Sequence, residues 1–155
     1  MKYYIDPGRK RPSIFFTDDI VYSTVKDMEG KPLKLTLSLM FQREKGDEVH
    51  PAIVWVCGGG YRGVDKNRMV PECVFLAEAG YTVVSVYYRG SGQGHYPAQL
   101  IDVKTAVRFL RAHAEQYHID PQRIGIMGRS AGGQLAAMMA MNTPGFDMEE
   151  WSGYS

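Results

Sequence analysis

Ile124-Gly125-Ile126-Met127-Gly128-Arg129-Ser130-Ala131-Gly132-Gly133 is the stretch on which the fold turns. Its first four residues read as a short buried strand, and Ala131 to Met141 reads as a helix. Between them stands G-x-S-x-G, with glycines at 128 and 132 around Ser130. Such glycines permit a sharp, strained turn that lifts a serine hydroxyl above a sheet. The N–H of Ala131 then opens the helix, aimed where negative charge would develop on an oxygen at that serine. As a bare pattern G-x-S-x-G is weak, and a tight structural turn is its bland reading. Between strand and helix it becomes fairly specific.

Upstream, strands and helices alternate. Ala52 to Val56 and Tyr81 to Tyr87 are β-branched and aromatic runs with little alternation, as in parallel strands covered on both faces. Between them Asn67 to Ala79 fits a helix, closed by Gly80. From Pro97 onward, Leu100, Val103, Val107, Leu110, Ala114 and Tyr117 form one apolar helical stripe, with Asp102, Arg108, Arg111 and Glu115 turned toward solvent. Asp120-Pro121 leads into the Ile124 strand. Earlier still, Leu33 to Phe41 is apolar at every odd position, a strand with one buried face. Ile20 to Val25 pairs with it through Met28-Glu29-Gly30-Lys31 as a hairpin. Residues 1–18 read as an N-terminal extension. The sum is a three-layer α/β fold with a mostly parallel sheet, an antiparallel start and helices on both faces. Chemistry in such sheets collects at the carboxyl ends of the strands.

A second glycine motif sits at such an end: Cys57-Gly58-Gly59-Gly60-Tyr61. Consecutive glycines leave N–H groups unobstructed, able to converge on one anionic oxygen. A flexible turn is the plainer reading. Gly58, Gly60 and Gly63 also satisfy the dinucleotide pattern G-x-G-x-x-G. That pattern asks for an acidic residue ending the next strand, where Tyr87-Tyr88-Arg89 stands, and for a helix at once, where Val64-Asp65-Lys66 reads as loop. It leaves residues 128–132 unexplained. Gly90-Ser91-Gly92-Gln93-Gly94 reads as a mobile loop; His95 could line a pocket there, but its plainer reading is a solvated loop histidine. His113 and His118 read as solvated, His50 as a strand boundary, Cys57 as inert packing, and Asp102 as an anchor of its helix's first turn.

Composition narrows the classes. The 155 residues are 45% apolar and 23% charged, and 18 Lys+Arg face 17 Asp+Glu. This is one ordinary globular domain, without the field that gathers nucleic acid or acidic lipid. The two cysteines, Cys57 and Cys73, fit neither a disulfide scaffold nor a metal site. No cofactor is expected. The N-terminus lacks the apolar core of a signal peptide, and runs such as Leu135 to Met141 fall far short of the ~20 residues of a membrane span. The expected location is the cytoplasm.

Residues 51–142 resemble the α/β-hydrolase fold, in its acetyl-esterase, hormone-sensitive-lipase-like and bacterial feruloyl-esterase-like branch. VWVCGGGY (54–61), VVSVYYRGSG (83–92) and YPAQLIDVKTAVRFLRAHAEQYHIDPQRIGIMGRSAGGQLAAMM (96–139) carry the likeness, in the family's order. The resemblance implies that Ser130 is the nucleophile of a carboxylic-ester hydrolase and that Gly59, Gly60 and Ala131 supply oxyanion N–H groups. It implies a small ester substrate, whether acetyl, short acyl or feruloyl. The sequence departs from the pattern in three ways. Cys57 replaces the histidine of an H-G-G-G loop, and Arg129 precedes the serine. The family's triad runs Ser, then acid, then His. No histidine follows Ser130, and the later carboxylates Asp147, Glu149 and Glu150 stand too close behind the helix. These 155 residues therefore read as a single incomplete domain, the N-terminal portion of a longer hydrolase truncated after the nucleophile helix, whether the gene is truncated or split or the chain is partial. Acid and base are expected in the missing part, a complementing C-terminal fragment is one candidate partner, and the chain alone is expected to be inactive. The alternative is a non-catalytic remnant that at most binds an ester.

Overall fold

The computed structural model describes residues 11–45 and 48–141. The hairpin forms as its patterning demands. Strand β1 (Ile14–Lys26) pairs antiparallel with β2 (Pro32–Gln42), from Ile14 opposite Gln42 to Lys26 opposite Pro32. Asp27 shapes the turn, its Oδ1 accepting from the N–H groups of Glu29 (2.8 Å) and Lys31 (2.9 Å). β1 starts earlier than its apolar core at Ile20 suggested. Residues 14–18, expected in an extension, are strand, with Phe15 opposite Phe41 and their rings 5.5 Å apart. Of the rest of that extension, residues 11–13 are irregular and residues 1–10 lie outside the described residues, as do Asp147, Glu149 and Glu150.

β2 was expected to bury one face. It buries both: Ser38 and Met40 are as inaccessible as Leu35 and Leu37. The remaining elements are β3 (His50–Val56), α1 (Val70–Glu78), β4 (Thr82–Val86), α2 (Ala98–Ala112), β5 (Ile119–Gly128) and α3 (Ala131–Ala140). The reason for the burial of β2 is position: in the sheet order β1-β2-β4-β3-β5 it is an inner strand, and α1 packs on it. Strands β4, β3 and β5 run parallel. The chain steps one way from β3 to β4 and back past β3 from β4 to β5. Right-handed crossovers then put α1 and α2 on opposite faces. Helix α3 packs on β5 and β3, beside α2. Three layers result.

Three elements depart from the expected outline. α1 begins only at Val70, with Pro71 in its first turn: in a helix begun at Asn67 the proline would lack the N–H for the Asn67 carbonyl and its ring would clash with it. α2 stops at Ala112, so Ala114 and Tyr117 lie beyond it. Asp102 does not face solvent. It is 1% exposed, and its carboxylate accepts from Arg89 Nε (2.9 Å), Nη2 (2.7 Å) and backbone N–H (2.9 Å). α2 buries ten of its 15 residues, a wider face than one stripe. β5 starts five residues before Ile124, and among the described residues it is an edge. Its outer side is open there, and Met127, expected in a buried strand, is 38% exposed.

Candidate active site

Strand register brings the two glycine motifs together. Val56, last of β3, pairs with Gly128, last of β5, and the Arg129 N–H donates to the Val56 carbonyl at 3.3 Å. Both loops therefore leave the sheet at one level. A Cβ on Gly132 would lie 2.0 Å from the Val56 oxygen, and one on Gly128 would lie 2.5 Å from the Gly132 oxygen. Only with bare glycines can the first turn of α3 press so closely on the end of β3. The turn leaves Ser130 at φ 54°, ψ −123°, a conformation that a residue with a side chain adopts at a cost. Its side chain is exposed.

The second loop is pressed against that serine. A Cβ on Gly58 would lie 3.2 Å from Ser130 Cβ and 2.6 Å from the Arg129 oxygen. Beyond it the backbone folds tightly, Gly59 O accepting from the N–H groups of Arg62 (3.1 Å) and Gly63 (3.3 Å). Among the described residues, the N–H groups of Gly59, Gly60 and Ala131 donate to no protein acceptor. They are available to an acceptor from outside.

Cys57 points into the core, 1% exposed, its Sγ 3.6 Å from the Val86 carbonyl oxygen. Burial pushes its thiol up to about 11, against opposing backbone hydrogen bonds. Two tyrosines tie the loop instead. Tyr88 Oη donates to the Cys57 carbonyl at 2.8 Å. Tyr61 Oη lies 2.9 Å from Gln134 Oε1 and 3.2 Å from the Ala131 carbonyl oxygen, and burial raises its phenol, which stays protonated. At the loop's far end Lys66 is 7% exposed and paired with Asp18 and Asp19. Ser38 Oγ also donates to Asp18 Oδ1 at 2.6 Å. Burial alone would raise Asp18, but its hydrogen bonds from Lys66, Ser38, the Asp19 N–H and Asn67 outweigh burial and hold it well below the carboxylate range. None of these contacts was legible as such: Tyr61 adjoined the glycines, but nothing in its neighbourhood marks the reach of its phenol.

The 90–94 loop, expected to be mobile, is tied: Gln93 Oε1 accepts from the Gly90 N–H and from Tyr87 Oη, both at 2.9 Å. His95 follows it and lines a cavity of about 470 Å³ with Tyr61, Tyr96, Gln99, Gln134 and Met138. The other histidines lie away from Ser130. His50 is a buried first residue of β3, its N–H donating to the His118 carbonyl (2.9 Å) at the opposite end of the sheet. His113 and His118, expected to be solvated, are half-buried, and His113 stacks on Phe109 at 4.2 Å. Among the described residues no cluster of three or more His, Cys, Asp or Glu is placed for a metal ion, and no helix is long and apolar enough to cross a membrane.

This geometry has known counterparts. The profile of the BD-FAE family matches residues 37–153, from β2 through both glycine loops and α3. The chain belongs to the BD-FAE family. Among curated relatives of this BD-FAE chain, esterase LipQ of Mycobacterium tuberculosis is 34% identical over 104 residues, covering 63% of this chain and 25% of its own. Neutral cholesterol ester hydrolase 1 of Rattus norvegicus is 32% identical over 139 residues, 85% of this chain and 31% of its own. Among solved structures, butyrate-bound esterase 2 of Thermogutta terrifontis superposes with a TM-score of 0.72 at 28% identity, over 96% of this chain and 50% of that one. A bacterial heroin esterase gives 0.67 at 30% identity, over 80% and 38%. The fold is that of the α/β-hydrolase esterases, and the chain spans about a quarter to a half of the proteins it matches.

Proposed function

We propose that this chain carries the nucleophile and oxyanion hole of a serine esterase. One observation supports the reading above others: the pairing of Val56 with Gly128 sets a strained, exposed Ser130 against a glycine loop with unused N–H groups. In the reaction the Ser130 hydroxyl attacks the ester carbonyl, losing its proton to a base. The Gly59, Gly60 and Ala131 amides hold the tetrahedral oxyanion, each donor worth about 3 kcal/mol. The alcohol leaves, and water hydrolyses the acyl-serine. The substrate is a small ester of acetyl, short acyl or feruloyl type. The four histidines, at 50, 95, 113 and 118, all precede the serine. Acid and base are proposed to come from residues other than these 155. Cytoplasmic location is part of the same reading.

The position of those histidines also favours a second reading, a hydrolase-like chain that binds an ester without cleaving it. Without a base, only ~10³–10⁴-fold acceleration over water survives in such sites. One experiment separates the two. The protein expressed from its own gene, with whatever flanks these residues, is treated with a fluorophosphonate and assayed on p-nitrophenyl acetate. Mass spectrometry should place the label on Ser130, and Ser130→Ala should abolish label and turnover together. Label or turnover that persists in Ser130→Ala rejects the esterase assignment. Binding without turnover selects the second reading.

A further inference from the structure

Tyr61 holds an unusual position. It follows Gly60 at φ 62°, in the left-handed region where tyrosine is rare, so surrounding contacts must hold it there. They hold it at both ends. Its phenol bridges Gln134 Oε1 (2.9 Å) and the Ala131 carbonyl (3.2 Å), and its own carbonyl accepts from the Ser91 N–H at 2.6 Å. The Ala131 carbonyl, in the first turn of α3, is thus gripped by the residue that continues the glycine loop.

We infer that Tyr61 is a positioning residue that locks the glycine loop onto the first turn of α3, so that the three amides form one rigid set. The role of that set rests on the esterase reading above; the lock itself does not. Tyr61→Phe keeps the ring and removes the hydroxyl, and Gln134→Leu removes one acceptor without touching the loop. The reporters are the Arg62, Gly63 and Ser91 amides, which donate to Gly59 O and Tyr61 O. In the protein from its own gene, exchange at these amides is expected to quicken about tenfold in Tyr61→Phe, less in Gln134→Leu, and no further in the double variant. The kcat on p-nitrophenyl acetate should fall about as much while KM stays within about twofold. Exchange at the three amides unchanged in Tyr61→Phe overturns the inference. Should that variant fail to fold, Gln134→Leu decides by the same measurement. Absence of Ser130-dependent turnover in the wild type would instead remove the esterase reading, and exchange alone would then judge Tyr61.

Discussion

A methyl group on Gly132 would meet the Val56 carbonyl oxygen at 2.0 Å and the Cys57 oxygen at 2.6 Å. Both obstacles are backbone, so no side-chain rotation relieves them. Gly132→Ala should therefore cost at least about 2 kcal/mol, within the usual range for overpacking. Gly92, whose added Cβ meets nothing within 4 Å, is the control, and Gly92→Ala should stay within about 0.5 kcal/mol. Urea midpoints of the two variants test the contrast, and equal midpoints would refute it. At this scale the sequence was most legible where chemistry dictates residue type. The sharp strand-to-helix turn was legible in the glycines at 128 and 132, whose close approaches follow from it. Cys57 read correctly as packing, but the tyrosines that tie its loop did not stand out. A phenol's partner depends on distances across the fold, here 70 and 73 positions away in the chain.

At the scale of elements, the β1–β2 hairpin and the glycine loop are joined by one polar cluster. Lys66, past the glycines, pairs with Asp18 of β1, which also accepts from Ser38 of β2 and from Asn67. Asp18 titrates below its ordinary range in the folded chain. A depressed carboxylate adds stability above the unfolded value near ~3.9, and that stability is lost as pH falls through the folded value. From about pH 5 down to about pH 2, the urea midpoint of the wild type should thus fall more steeply than that of Asp18→Asn. Parallel slopes would show that the cluster does not hold Asp18 charged. Among the described residues, period and punctuation revealed each of the five strands and three α-helices, and its type, but not the 3-10 turn Arg43–Lys45. Boundaries were less legible: the start of α1 was written in Pro71, whereas β1 is extended by a tertiary contact, Phe15 opposite Phe41. Asp102 misled for the same reason, since its place on the helix gave no sign of Arg89.

For the whole molecule, the side of the sheet beyond β3 leaves large apolar side chains exposed among the described residues. A groove of about 480 Å³ runs between α1 and β5, lined by Trp55, Pro71, Phe75, Leu76 and Met127, with Phe75 69% exposed. The adjoining edge of β5 presents unpaired backbone groups among the described residues, a surface that invites pairing with other chains. Residues 1–155 expressed by themselves should associate with rising concentration, and Phe75→Lys with Met127→Lys should weaken that association. Sedimentation that reports a monomer at every concentration would show that this face is satisfied within the chain.

The pairing of Val56 with Gly128 also makes the site a test of folding fidelity. Neither loop carries the constellation alone; it exists only as the alignment of two strands far apart in the chain. A slip of one residue between β3 and β5 would move Ser130 along the sheet by about 3.3 Å and turn the side chains of β5 to the opposite face. Such an error could leave helices and strands intact and still dissolve the site. A chain with the right shape and the wrong register would be silent, and a reactive Ser130 would certify that a particular pair of facing residues had found each other.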